Sequence, residues 1–190
     1  MKIVLSSLTL IIAAVALSQF GRPANHPAQT MNEDQFWQSI EDAWSKAGGF
    51  TELRAKLATI PSEQEPDQPL YAPLSKVIGH LHTCLRELPQ ADLLEYDRIL
   101  ERKLYDIDRS EIQKYTDGSD DGFLYARGFI VAMGRSYYEA VNHDPSKAIM
   151  NAECEDLCYL PHHIYRERFG EVPKSGISRE SASNPAGWRE

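Results

Sequence analysis

The sequence predicts an all-α fold: a single compact bundle-like domain of about six or seven helices around one central buried helix. Three observations lead there. Apolar residues recur at helical spacing in several separate stretches, and residues with helix-starting or helix-stopping chemistry bracket those stretches. Residues 120–141 carry an apolar arc too wide for a helix that lies on a surface.

The first 18 residues read as an export signal. Lys2 supplies the positive start, Ile3 to Leu17 is mostly apolar, and Ala16-Leu17-Ser18 fits a small-x-small cleavage pattern before Gln19. The apolar run falls short of the about 20 residues that span a bilayer, so stable membrane insertion after signal removal is not expected. Residues 19–30, with Pro23 and Pro27, read as a disordered linker. A second reading starts the protein at Met31, whose Met-Asn-Glu-Asp-Gln-Phe-Trp makes a natural N-terminus, and keeps it in the cytoplasm.

The helical domain is expected over residues 31–170. Asn32 and Gln35 form a capping-box pair ahead of a first helix from Glu33 to Ala47, and Gly48-Gly49 ends it. Its stripe is Phe36, Trp37, Ile40, Ala43, Trp44 and Ala47. A short second helix follows around Leu53 and Leu57, capped by Thr51 and stopped by Pro61, and 62–69 reads as a surface loop. The third helix, Pro73 to Leu88, places Leu74, Val77, Ile78, Leu81, Cys84, Leu85 and Leu88 on one face, which makes Cys84 a small buried hydrophobe. His80 and His82, two positions apart, point to different faces and cannot easily share a metal.

The fourth helix, Ala91 to Tyr105, buries Leu93, Tyr96, Ile99, Leu100 and Leu104, with Asp97 inside the same arc. After a short helix around Ile112, Asp117-Gly118 reads as a turn. Ser119 or Asp120 then caps the central helix, Asp120 to Val141. Asp120 and Asp121 suit its positive N-terminal dipole, or else form a paired-carboxylate site. Gly128 and Gly134 each cost roughly 1 kcal/mol in a helix interior, which points to close approach of a neighbour. Arg127 falls inside the apolar arc and needs a partner. Two opposite charges on two core faces predict that Asp97 meets Arg127, as a structural pair or as part of a site. Further helices are expected over Pro145 to Leu160 and from Pro161 to Phe169, and 171–190 reads as a disordered tail.

The net charge of −8 argues against a nucleic-acid surface. Three cysteines do not make a disulfide scaffold, although Cys84 could pair with Cys154 or Cys158. Cys154, Cys158, His162 and His163 match no standard zinc spacing, and buried thiols are the simpler reading, so no metal is expected. No phosphate-binding loop, dinucleotide fingerprint or nucleophile elbow is present, and no cofactor is expected.

Three stretches carry a family resemblance: Met31 to Trp37, Tyr-Asp-Arg-Ile-Leu at Tyr96 to Leu100, and Ser-Asp-Asp-Gly-Phe-Leu-Tyr-Ala-Arg-Gly-Phe-Ile-Val at Ser119 to Val131. Together they resemble the bacterial domain-of-unknown-function family 4240 over roughly residues 31–146. The resemblance implies an all-helical domain and brings no established activity. Relatives that carry Gly-Gly-Cys before the Ser-Asp-Asp differ here, where Thr116-Asp117-Gly118 stands.

Two function classes follow. One is a protein-interaction module with an unidentified protein partner. The other is an enzyme or small-ligand binder with a charged site of Asp97, Asp120, Asp121 and Arg127; no catalytic residue is assigned. The export reading is checked by N-terminal sequencing and intact mass of the native protein from fractionated cells. A mature start at Gln19 is expected, and a cytosolic start at Met31 would overturn it.

Overall fold

The computed structural model describes residues 31–57, 59, 71–116 and 119–189. Among these residues the chain forms eight α-helices and no strand, so the all-α expectation holds. They are α1 (Glu33–Ala47), α2 (Thr51–Leu57), α3 (Tyr71–Arg86), α4 (Gln90–Asp106), α5 (Ser110–Gln113), α6 (Asp120–Ala132), α7 (Arg135–His143) and α8 (Glu155–Phe169), with a 3-10 turn at Pro145–Lys147. The export signal, the linker, the loop at 62–69 and the Asp117-Gly118 turn lie outside the described residues.

α1 forms where its chemistry places it. Asn32 and Gln35 exchange the two capping-box bonds, each 2.9 Å, and Gly48 takes φ +121 at the C-terminal end. The six residues of its stripe are all buried, and the helix packs on α3. Phe36 meets Tyr96 of α4 with ring centroids 4.7 Å apart. α2 differs in its cap: Phe50, at φ +49, accepts the first helical bond from Arg54 N–H, and Thr51 is already inside the helix. α3 buries Leu74, Val77, Ile78, Leu81 and Leu85, but Cys84 is exposed beside Lys46. Cys84 sits at the edge of the apolar arc, where only the Lys46 side chain of α1 reaches it among the described hydrogen-bond partners.

The expected central helix is two helices. Ten of the thirteen residues of α6 are buried, so its wide arc is packed on several sides. The chain breaks after it because Gly134 adopts φ +93. A Cβ there would lie 2.3 Å from both Arg54 Nη2 and Glu41 Oε1, so Gly134 permits a close approach as well as the turn. The carbonyls freed at the end of α6 are covered from outside. Trp44 Nε1 donates to Ala132 C=O at 2.7 Å, and Arg54 donates to Met133 C=O through Nε at 3.0 Å and Nη2 at 2.7 Å. Arg54 is fixed in turn by a two-pronged bond to Glu41, at 2.8 and 2.5 Å.

The end of the domain also departs from expectation. Residues 148–154 are not helical, and α8 runs through Pro161 without restarting. An interior proline removes one helical bond, but buried Leu157, Leu160, Ile164 and Tyr165 hold both sides of it against the core. Residues 171–189, expected to be a disordered tail, instead form a non-helical strap seated on the helices, with Arg179 and Asn184 buried. Most of its described contacts are polar, and its apolar ones, from Val172 and Trp188, follow no helical period.

α6 and α8 touch most closely at Gly128, where a Cβ would fall 2.4 Å from Cys154 C=O and 2.6 Å from Cys158 Sγ. Gly128→Ala gains roughly 1 kcal/mol of helix propensity. The clash is with a backbone atom that cannot swing away, so a net loss of roughly 1–3 kcal/mol is expected on denaturant unfolding. Gly79→Ala, on α3 with open space around it, should instead stabilise by about 0.5–1 kcal/mol. Equal effects at the two glycines would contradict this packing.

Candidate functional site

A polar groove is built where α4, α6 and α8 converge, and the strap lies in it. α4 presents Asp97 and Glu101, one helical turn apart, both buried and facing α8. Glu101 has Arg98 of its own helix at 3.2 Å, and the cation that Asp97 demands is Arg179 of the strap. Its Nη2 donates to Asp97 Oδ1 at 2.6 Å, its Nη1 donates to Cys158 C=O at 2.5 Å, and its Nε lies 3.7 Å from Glu101 Oε1. The guanidinium also faces the Tyr159 ring, 5.6 Å from its centroid. The planar fork of arginine suits this set of acceptors, with a separate nitrogen aimed at each.

Arg127 of α6 is wholly buried and grips the strap's main chain instead of its charge. Nη2 donates to Arg179 C=O at 2.8 Å and Nη1 to Leu104 C=O at 2.9 Å. Nη2 also reaches Ser181 Oγ at 3.3 Å, and Ser181 Oγ donates to Asp120 C=O at 2.6 Å. Burial pulls the Arg127 pKa down, and the nearby Asp108 carboxylate is the first influence that opposes it.

Asp108, fully buried between α4 and α5, binds the rest of the strap. Oδ1 accepts from Ala182 N–H at 3.0 Å and Trp188 Nε1 at 2.9 Å. Oδ2 accepts from Asn184 N–H at 2.9 Å and Ser183 Oγ at 3.2 Å. Four donors fill the acceptor capacity of one carboxylate, and all come from residues 182–188. Asn184 Nδ2 donates to Tyr105 C=O, and Ser110 N–H donates to Gly187 C=O. The Trp188 ring stands edge-on to Phe123, with centroids 6.0 Å apart.

The charges singled out in the sequence therefore meet through a partner that the sequence reading did not use. Asp97 and Arg127 do not pair with each other: Asp97 pairs with Arg179, and the donors of Arg127 go to carbonyls and Ser181. The strap touches Asp120 through its main chain, while the side chains of Asp120 and Asp121 are exposed at the first turn of α6. Ser119 is the cap of that helix, accepting from Gly122 N–H at 3.0 Å. Glu101, Asp108 and Arg179 were missed. The signal that could have found the strap is Trp188, a large ring in an otherwise polar stretch.

A separate cavity of about 430 Å³ lies where the strap crosses α4, between Arg98, Arg102, Lys103 and Glu95 on one side and Ser175 and Ile177 on the other. None of Asp97, Asp120, Asp121 and Arg127 lines it. Cys154 and Cys158 are buried free thiols, and Cys158 Sγ donates weakly to Leu124 C=O at 3.5 Å. His163 is exposed. Among the described residues no three His, Cys, Asp or Glu side chains are gathered to hold a metal. No described helix is long and apolar enough to cross a membrane.

The groove and its surrounding helices define an all-helical domain with a charged, strap-filled cleft. Residues 31–167 match the family described as Protein of unknown function (DUF4240), and the chain belongs to that family. No curated protein and no solved structure matches the chain. Asp97, Glu101, Asp108, Arg127 and Cys158 fall within the matched stretch, and the strap lies beyond it.

Burial pushes the Cys154 and Cys158 thiols up to about 12. A raised pKa leaves less of the reactive thiolate at pH 8. A thiol reagent at that pH should therefore titrate one fast equivalent, exposed Cys84, and reach the other two thiols on unfolding. Three fast equivalents in the native protein would contradict this burial.

Proposed function

We propose that this domain is a protein-interaction module, without a cofactor, whose α4–α6–α8 groove receives a non-helical protein segment. In this chain the groove holds the chain's own C-terminal strap. The observation that carries the reading is the seat of Arg179. An arginine 6% exposed is met by two carboxylates and a helix carbonyl, while Arg127 and Asp108 hold the main chain beside it. Side-chain charge and backbone are both recognised, as in peptide grooves that combine main-chain bonds with a specificity pocket.

The groove residues belong to the family-matched stretch, and the occupant lies beyond it. A catalytic use of the four residues Asp97, Asp120, Asp121 and Arg127 has less support, because Asp97 is taken up by Arg179, Arg127 by main-chain carbonyls, and Asp120 and Asp121 stand exposed at the start of α6. The export of this module outside the cytoplasm belongs to the same proposal.

The test leaves the chain whole until it has folded. A specific protease site is placed between Gly170 and Glu171, both exposed, and the folded protein is cut there. The severed 171–190 segment is then challenged with a labelled synthetic copy. Reversible, saturable exchange with unchanged helical circular dichroism is expected. Loss of helix as the segment departs would make the strap a structural part of the core and overturn the reading.

A further inference from the structure

We infer that the groove reads a sequence pattern, an arginine followed nine residues later by a tryptophan with glycine just before it, and that a partner protein carrying this pattern in a non-helical segment displaces the strap. The inference rests on the interaction reading above and names the partner's chemistry. The strap is then the groove's resident competitor, a cis ligand that keeps it closed.

Each position of the pattern is enforced by a different contact. The arginine position is set by Asp97 Oδ1 and Cys158 C=O, 2.6 and 2.5 Å from two nitrogens of one guanidinium, with the Tyr159 ring alongside. An ammonium lacks the planar fork that sends one nitrogen to each acceptor, so it fits this geometry less well. The glycine position is set by backbone: a Cβ at Gly187 would lie 2.4 Å from Asp108 C=O and 3.0 Å from Arg109 Cα. Neither atom can move without moving the link between α4 and α5. The tryptophan position is set by its indole N–H, which donates to Asp108 Oδ1 at 2.9 Å, and by the edge contact with Phe123. Between these anchors Asp108 takes the N–H groups of residues 182 and 184, which any residue except proline supplies. The spacing is therefore read through the main chain and the identity most strongly at Arg179, Gly187 and Trp188, with lesser side-chain bonds from Ser181, Ser183 and Asn184.

The strap is also a ligand that can be bettered. Asp97 Oδ2 and Arg127 Nε are buried in the groove without a hydrogen bond among the described residues. Ala182 sits at φ +59, where glycine or asparagine rests more easily. A segment with the same anchors and a better residue at that turn has room to win.

The experiment uses the full chain cut between Gly170 and Glu171, with a labelled 171–190 peptide as the probe and unlabelled variants as competitors. Arg179→Lys and Gly187→Ala peptides should compete about tenfold or more weakly than the native peptide, each tenfold being about 1.4 kcal/mol. Trp188→Ala should weaken similarly, and Lys174→Ala, at an exposed position, should stay within about twofold. The uncut chain should bind the probe far more weakly, because its tethered strap acts at high effective concentration. Exchange with all variants equal would overturn the pattern while leaving the groove's interaction role standing. Absence of any exchange in the cut protein would remove that role and the pattern together. Equal probe binding by cut and uncut chains would overturn the displacement of the strap.

Discussion

The Arg179–Asp97 ion pair is the contact on which the rest of this structure depends. Both side chains are nearly sealed from water, at 5% and 1% exposure. A buried charge left alone costs several kcal/mol. Glu101 already has Arg98 of its own helix at 3.2 Å, whereas α4 cannot close against α8 with Asp97 inside unless a cation enters with it. That cation arrives from the last quarter of the chain. Once Arg179 is seated, its carbonyl lies over Arg127, and Ser181, Asn184 and Trp188 fall within reach of their partners. Three buried carboxylates (Asp97, Glu101 and Asp108) thus stand against two buried guanidinium groups. The surplus negative charge on Asp108 is accommodated by four hydrogen-bond donors.

A second constraint sets the frame for that groove. α6 must stop early enough for α7 to turn away, yet its end is buried and leaves carbonyls that water cannot reach. Gly134 allows the turn, and Trp44 with Arg54 supplies the missing donors. α1, α2 and α6 are joined at that point by hydrogen bonds as well as by apolar packing. On its other side α6 approaches α8 through Gly128, which brings Arg127 and the Cys158 carbonyl to the same wall of the groove. The two glycines serve different ends: one needs its positive φ, the other needs the absence of a side chain.

The sequence was most legible where apolar spacing and caps agree. The bounds, cap and buried stripe of α1 follow from Asn32, Gln35, Gly48 and six apolar residues. Buried charge was legible too, since Asp97 and Arg127 stand out on apolar faces and are both inside. Their partners were not. Arg179 sits in a polar stretch without period, and nothing local marks a residue whose role is set by contacts some eighty positions away, with Asp97. The break at Gly134 was hidden because the apolar arc continues across it, and Pro161 misled because tertiary packing outweighs its local cost. Cys84 lay on the right face by spacing and outside by a fraction of a turn. The family match places residues 31–167 in a family of unknown function, and the chemistry of the groove is carried by its own contacts.

On the interaction reading the strap is a bound segment, separable from the helical domain. Native-state hydrogen exchange tests it most directly, by comparing the Ala182 and Asn184 amides, both bonded to Asp108, with the buried amides of α6. The strap amides are expected to exchange through a partial opening with a smaller free energy than global unfolding, while α6 stays protected. Exchange of both sets at one common free energy, tracking global unfolding across denaturant, would mean that strap and helices fold as a single unit, and would contradict it.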